Sequence, residues 1–478
     1  MNNKTLQDLV KGQYGRKIAY TEVDSITEDN IISVVNKTIG IFNRNVMVAQ
    51  YLWNYKNGDQ PIRYRQKTVR DDIKNEIVEN HAWEIVQFKN GQTNGEPIQY
   101  ISRTKDEKTS EAIDKLNDYI ASANKQVRDI SSGEWTSAVG TGFKAVQRTG
   151  NSDMPFRITV PTPLNTYIVY SRYTEEPMLA VQRFKDENGY QFLHCFDERF
   201  EYIIQNGQLL TLGYENELPV YKRLHMFGGI PIVEYPNNQD RISDVELVID
   251  MLDAINNYQS NRMDAVEQFV QSWVKFINCD IDADAFAEMK KQGALMVKST
   301  KDKQADVEIM TQELNQSQTQ IAKEDIWDNV LAILGIPAQN NGSDGGSTQG
   351  AVELRQGWDF AKQRACIKDP YIIEAEKKLA KVIITTIKIE KGEDEIPIKM
   401  LDLDVKISHS PTDNLYTKAN SLALLLQSGI DPKTSIKTSG LWSDSEKVYL
   451  QSKNTLDIKQ GYTQGTQADD VLKPDNRV

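Results

Sequence analysis

The sequence predicts an α+β fold, mainly helical and divided into several parts, on three observations. The first 130 residues have helical apolar spacing, residues 156–234 switch to short alternating runs, and residues 243–276 carry a helical stripe with no proline or glycine. At 478 residues the chain exceeds the roughly 250 to 300 at which one core stops growing, so more than one core is expected.

The N-terminal part enters a helix at Thr27-Glu-Asp-Asn30. A second helix is predicted over Asp71 to Gln87, where Ile73, Ile77, Val78, Trp83, Ile85 and Val86 recur at helical spacing. A third follows, with Thr109 and Ser110 offering hydroxyl caps, Glu111 in the first turn, and Ile113, Leu116 and Ile120 on one side. From Phe156 to Glu234, runs rich in Tyr, Val, Ile and Phe are broken by Glu187-Asn-Gly189 and Gln205-Asn-Gly207, which predicts an antiparallel meander.

Pro236-Asn-Asn-Gln-Asp240 ends that segment and Ser243 opens a helix, with Asp244 and Glu246 placed to favour its positive end. Its apolar positions run from Val245 to Trp273, and at 1.5 Å per residue a helix to Phe276 spans about 50 Å. A compact monomer buries such a stripe with difficulty, so packing in a bundle or against other subunits is expected. A small mixed unit follows to about Leu314, then a helix from Gln316 to Leu334 that stops at Gly335-Ile-Pro337. The run 340–350 has no sizeable apolar side chain and reads as a mobile loop. A helix from Ala351 to about Ile389 is expected to bend at Asp369-Pro370, Ile396 to Ser408 alternates like a strand, and a polar helical part starts near Thr412 and frays after about Asp457.

Composition excludes several classes. No stretch reaches the roughly 18 to 20 apolar residues of a bilayer span, and Met1 to Asp8 lacks an apolar signal region, so neither membrane insertion nor secretion is expected. With 68 acidic against 56 basic residues the net charge is -12, which opposes a tight grip on DNA phosphates. Cys195, Cys279 and Cys366 form no disulfide framework or metal spacing and read as reduced, mostly buried thiols.

Catalytic, cofactor and metal patterns are likewise not found. Gly140-Thr-Gly-Phe-Lys144 lacks the spacing of a phosphate-binding loop and reads as a tight turn. His81, His194, His225 and His409 are scattered, and His194 and Cys195 are adjacent strand residues that face opposite ways. Asp280-Ile-Asp-Ala-Asp284 begins like a calcium loop but has Ala285 and Lys291 where glycine and glutamate are needed; Asp282 capping a short helix explains it. Asp402 and Asp404 share a strand face that reads as a solvated edge. No enzyme is expected.

The order of five segments resembles the portal proteins of long-tailed bacteriophages. They are Asn75 to Val86 with Gly95-Glu-Pro-Ile98; Pro163 to Tyr170 with Glu176 to Ala180; Gly229 to Asn238 leading into the helix from Ser243; Ser347 to Leu354; and Leu422 to Ser428 with Gly429-Ile-Asp431. The resemblance implies a ring subunit: a wing over 1–242, a stem helix 243–276, a clip 277–314, a second stem helix 315–339, a tunnel loop 340–350, a channel-side helix and return wing strand 351–411, and a crown with C-terminal tail 412–478. It implies no catalytic centre or cofactor. The functional residues implied are the tunnel-loop Asn340, Asn341, Gly342, Ser343, Asp344, Gly345, Gly346, Ser347 and Thr348, clip partner contacts at Phe286 and Met289, and stem acids Asp244, Glu246, Asp250 and Asp253.

The partners implied are eleven further copies in a dodecamer, double-stranded DNA sliding without sequence specificity, the terminase large subunit, a head–tail adaptor, and major capsid and scaffold proteins. The place implied is the capsid portal vertex of a virion, assembled in host cytoplasm. The competing expectation is a scaffold or adaptor of a virion or cellular assembly that never contacts DNA.

Overall fold

The computed structural model describes residues 3–68, 71–104, 106–151, 153–215, 218–270, 273–277, 306–310, 316–337, 357–409, 415–439, 441–442, 445 and 448–452. Its helices are α1 (Asn3–Val10), α2 (Ile31–Lys56), α3 (His81–Asn94), α4 (Glu107–Ser122), α5 (Lys125–Val139), α6 (Ile249–Val270), α7 (Gln316–Leu334), α8 (Trp358–Cys366), α9 (Asp369–Lys391), α10 (Leu415–Gln427) and α11 (Pro432–Ser439). The strands are β1 (Ala19–Thr21), β2 (Gln99–Ser102), β3 (Thr141–Arg148), β4 (Phe156–Thr159), β5 (Thr166–Ser171), β6 (Pro177–Lys185), β7 (Gln191–Phe196), β8 (Phe200–Gln205), β9 (Gln208–Leu209), β10 (Gly213–Glu215), β11 (Leu218–Val220), β12 (Arg223–Leu224), β13 (Ile232–Pro236), β14 (Trp273–Ile277), β15 (Asp306–Met310) and β16 (Leu403–Lys406). The fold is α+β, as expected.

The meander is present as β5-β6-β7-β8, with β1 added in parallel at one edge and β12 at the other. Gly189, at positive φ, turns β6 into β7, and Gly207, also at positive φ, turns β8 into the short β9. Register explains its burial on both faces. Tyr167, Val181, Cys195 and Tyr202 pair across successive strands and face the first half of α2, while Ile168 and Ala180 face the separate sheet β13-β3-β4. The second half of α2 enters another core, where Val48, Leu52 and Tyr55 meet α3, α5, α6 and α7. A third core forms around α9, whose Leu379, Ile383 and Ile387 are fully buried against α4, β2 and β16. Each such side chain contributes about 1.5–3 kcal/mol on burial.

Several sequence expectations are corrected. The helix expected from Asp71 begins at His81. Residues 75–79 instead run alongside α6, and the backbone N–H groups of Asn75, Ile77 and Glu79 donate to Asp264 Oδ1, Ser260 Oγ and Asn256 Oδ1 at 2.8, 3.0 and 2.8 Å. Acceptors four residues apart on one helix face match every second amide of the adjoining chain, so this long-range ladder replaces helical bonding. Helix α4 is capped by Asp106, which accepts from Thr109 N at 3.1 Å, and not by Thr109 or Ser110.

The helix expected over 243–276 covers only 249–270, a length of about 33 Å, and Trp273–Ile277 is a strand paired with Asp306–Met310. Val245, Val248, Leu252 and Ile255 are buried inside their own subunit, whereas Tyr258 and Met263 stay exposed. Helix 316–334 is as expected. Of the helix expected from Ala351, the described part starts at Trp358 and is broken at residues 367–368, with Pro370 in the first turn of α9, which it tolerates because no helical amide bond is lost there. Of the strand expected over 396–408 only Leu403–Lys406 forms, pairing with Gln99–Ser102; Met400–Asp402 is a single 3-10 turn. Asp402 therefore accepts from Lys399 N at 3.3 Å and Asp404 pairs with Lys377, so the two carboxylates do not share a strand face. Among the described residues no helix is long and apolar enough to cross a membrane.

Candidate functional site

The Asn-Asn linker and the start of α6 form a bonded junction. Gly140, at φ 88, ends α5; a Cβ there would lie 1.9 Å from Arg241 O, so only glycine fits, and Asn237 N donates to its carbonyl at 2.9 Å. Only this residue of Gly140–Lys144 is a turn, since Thr141 already begins β3. Asn237 Nδ2 and Asn238 Nδ2 both donate to Ile242 O, at 2.9 and 2.8 Å, and Asn238 Oδ1 accepts from Ile242 N at 2.9 Å. Ser243 and Glu246 then make a reciprocal capping box one turn ahead of regular helix, with Ser243 Oγ accepting from Glu246 N at 3.2 Å and Glu246 Oε2 from Ser243 N at 2.7 Å.

Two of the four expected stem acids lock this junction. Asp244 accepts from Ser137 Oγ at 2.7 Å and from Lys368 Nζ at 2.8 Å. Burial resists its ionisation, but Lys368, Lys89 and these hydrogen bonds outweigh it and hold its pKa below the usual carboxylate range. Glu246 accepts from Gly15 N at 3.2 Å and pairs with the buried Arg16, tying the N-terminal segment to the root of α6. Asp250 is exposed. Asp253 is half-buried and accepts from Tyr55 OH at 2.8 Å; burial first, and then the charge of Asp250, push its pKa up to about 6 despite that bond.

The exit of α7 is fixed to the same frame. Gly335, at φ +63, turns the chain, and Ile336 N donates to Leu331 O at 2.9 Å. Lys89 of α3 donates to Leu334 O, and Arg364 of α8 donates to Ile333 O at 2.8 Å, so two cations sit at the negative end of the helix. Burial lowers the Lys89 pKa to about 8 against the opposing pull of Asp244. The neighbouring α6 and α7 are joined by Arg262 Nη1 to Gln320 Oε1 at 2.8 Å. The chain therefore leaves α7 from an anchored root, while the far ends of the two helices are held to each other by the Arg262–Gln320 bond.

Asn340 to Thr348, Phe286, Met289, Cys279 and the run Asp280 to Asp284 lie outside the described residues. Two arrangements escaped the sequence reading. Beneath the junction, Lys125 and Lys144 meet Asp129 and Glu376, all essentially fully buried: Lys125 is 2.7 Å from Asp129 and 3.0 Å from Glu376, Lys144 is 2.8 Å from Glu376, and Lys144 also contacts Asp129. Tyr100 OH and Tyr235 OH donate to the two Glu376 oxygens at 2.6 and 3.0 Å. Burial opposes the charge on Glu376, yet both lysines and the donated hydrogen bonds hold its pKa well below normal. The i,i+4 pair Lys125/Asp129 was visible in sequence; nothing local pointed to the other two. Second, His409 is not isolated from ligand-type residues, because Asp369 and the exposed Cys366 lie beside it, and only Cys195 of the two described thiols is buried.

The family model described as "Phage portal protein, SPP1 Gp6-like" matches residues 37–457. No curated protein matches the chain. Among solved structures, a chain of the "neck of native GTA particle computed with C12 symmetry" is similar at 10% identity, over 76% of this chain and 89% of that one, with a TM-score of 0.44. A chain of the "virion of native gene transfer agent (GTA) particle" is similar at 11% identity, over 77% and 88%, with a TM-score of 0.42. The family match spans the cores, the junction and both roots, and the chain belongs to the SPP1 Gp6-like family of phage portal proteins.

Proposed function

We propose that this chain is one subunit of a dodecameric ring at a capsid vertex, through which double-stranded DNA is packaged and ejected and on which the terminase large subunit and a head–tail adaptor dock. The family match over residues 37–457 carries this reading. The anchored roots of α6 and α7 support it mechanically. Segments that touch moving DNA or docking partners work against load, and the load passes into a frame of buried ion pairs and hydrogen bonds. In this assignment residues 1–242 form the wing, α6 and α7 the stem, 277–314 the clip with Phe286 and Met289 toward partners, 340–350 the tunnel loop, 351–411 the channel-side helix and return strand, and 412–478 the crown. The net charge of -12 suits passage without gripping, since phosphate contacts by clustered Lys and Arg would slow sliding. No chemical step is assigned to the chain; packaging energy comes from the terminase. Major capsid and scaffold proteins surround the vertex, and the ring assembles in host cytoplasm before residing in the virion.

The test is assembly and packaging. The purified chain is expected to form closed rings by negative-stain microscopy and native mass spectrometry, with a bore wide enough for a duplex. Deleting Gly342 to Thr348 is expected to leave the rings intact and to impair DNA packaging or retention. A persistent monomer at high concentration, or a ring too narrow for a duplex, refutes the channel and favours the scaffold alternative.

A further inference from the structure

Cys366 ends α8, Asp369 begins α9 and His409 follows β16, and one ligand-type atom from each lies within 4.8 Å of the other two. His409 Nδ1 is 2.9 Å from the Gln92 carbonyl oxygen, which can only accept, so Nδ1 carries a proton. In a neutral ring that leaves a lone pair on Nε2, which faces both Asp369 oxygens at 2.8 and 2.9 Å. A lone pair and a carboxylate at this separation need a positive centre between them, either a second proton or a metal ion. A backbone carbonyl that fixes the far nitrogen is also how metal-ligating histidines are oriented.

We infer that Cys366 Sγ, an Asp369 carboxylate oxygen and His409 Nε2 form a three-ligand site for a borderline transition-metal dication such as zinc, with a fourth position open to water. Tetrahedral bonds of about 2.3 Å to sulfur and 2.0–2.2 Å to nitrogen and oxygen place such ligand atoms roughly 3.3–3.6 Å apart. The His409–Asp369 contact opens by about 0.5 Å to meet this, and Cys366 Sγ, already within 4.8 Å of the other two ligand atoms, has at most about 1.5 Å to close. A thiolate with an imidazole selects zinc or cobalt over magnesium or calcium. Lys362 is the other charged group acting on both His409 and Cys366. A bound ion would join the break between α8 and α9 to the end of the return strand and, through Gln92, to α3. The spacing Cys366-x-x-Asp369 is visible in sequence, but the third ligand comes from 40 residues further on.

The experiment is a cobalt(II) titration of the reduced, untagged full chain, followed by absorbance. Binding of one ion per chain is expected, with a thiolate-to-cobalt charge-transfer band, displacement by zinc, and no displacement by magnesium. Cys366→Ser is expected to abolish the band and weaken binding at least tenfold. Asp369→Asn and His409→Gln are expected to weaken it comparably. Zinc is also expected to raise the thermal midpoint of the unaltered chain and not that of Cys366→Ser, whose exposed position spares the fold. Absence of binding at saturating cobalt, binding without a charge-transfer band, or equal affinity in Cys366→Ser overturns the assignment.

Discussion

Replacing Glu376 by glutamine tests the buried charge cluster most directly. The substitution keeps shape and one acceptor but leaves Lys125 and Lys144 facing Asp129 alone, so a net positive charge stays in a site with no water-exposed partner. Removing one member of a buried pair costs about 3–5 kcal/mol, because the surviving charge keeps its desolvation penalty without its compensation. At roughly 2–4 °C per kcal/mol the thermal midpoint falls by on the order of 10 °C. The pH dependence has a definite sign. A carboxyl held below its ordinary value of 4.5 contributes stability that is full above that value and is lost as pH falls toward the folded pKa. The difference between the two proteins is therefore largest at neutral pH and narrows below about pH 4.5. Urea unfolding at pH 7 and pH 4 measures both effects. The double variant Glu376→Gln, Lys144→Met restores a one-to-one balance and is expected to lose less than the sum of its single changes. A neutral-pH loss below about 1 kcal/mol, or strict additivity in the double variant, would falsify the idea that this cluster is dry and mutually dependent.

Gly140→Ala forces a side chain into a left-handed turn against the Arg241 carbonyl, so a loss well above about 1 kcal/mol and little soluble protein are expected, measured by thermal unfolding of what is recovered. Ser260→Ala removes the acceptor of the Ile77 amide and is expected to cost about 1–3 kcal/mol and to speed hydrogen exchange at Ile77 and its neighbours. Asp253→Asn acts in the opposite direction. A carboxyl raised to about 6 costs stability as pH rises through that value, so the variant is expected to be more stable by on the order of 1 kcal/mol at pH 8 and to converge with the parent below about pH 4. Urea unfolding across that range checks the sign.

Much of the architecture was legible in the sequence because it is written locally. Alternation and Asn-Gly turns specify the meander, helical spacing with Gly335 and Pro337 bounds α7, and Pro370 marks the break before α9. Ser243 and Glu246 do form a capping box, which is made within four residues, but the regular helix they were expected to open begins only at Ile249. What only the tertiary structure decided is which distant group completes each buried polar atom. The amides of 75–79 are satisfied from α6, some 180 residues on, so apolar spacing that suits a helix is overruled. Asp244 and Glu246 read in sequence as first-turn acids of a stem helix, yet Lys368 and Arg16 turn them into internal locks. Lys144 meets Glu376 across 232 residues, and His409 meets Asp369 across 40. Periodicity and capping depend on neighbours along the chain, whereas the pairing of buried charges depends on which surfaces the folded cores press together, and a linear pattern does not encode that choice.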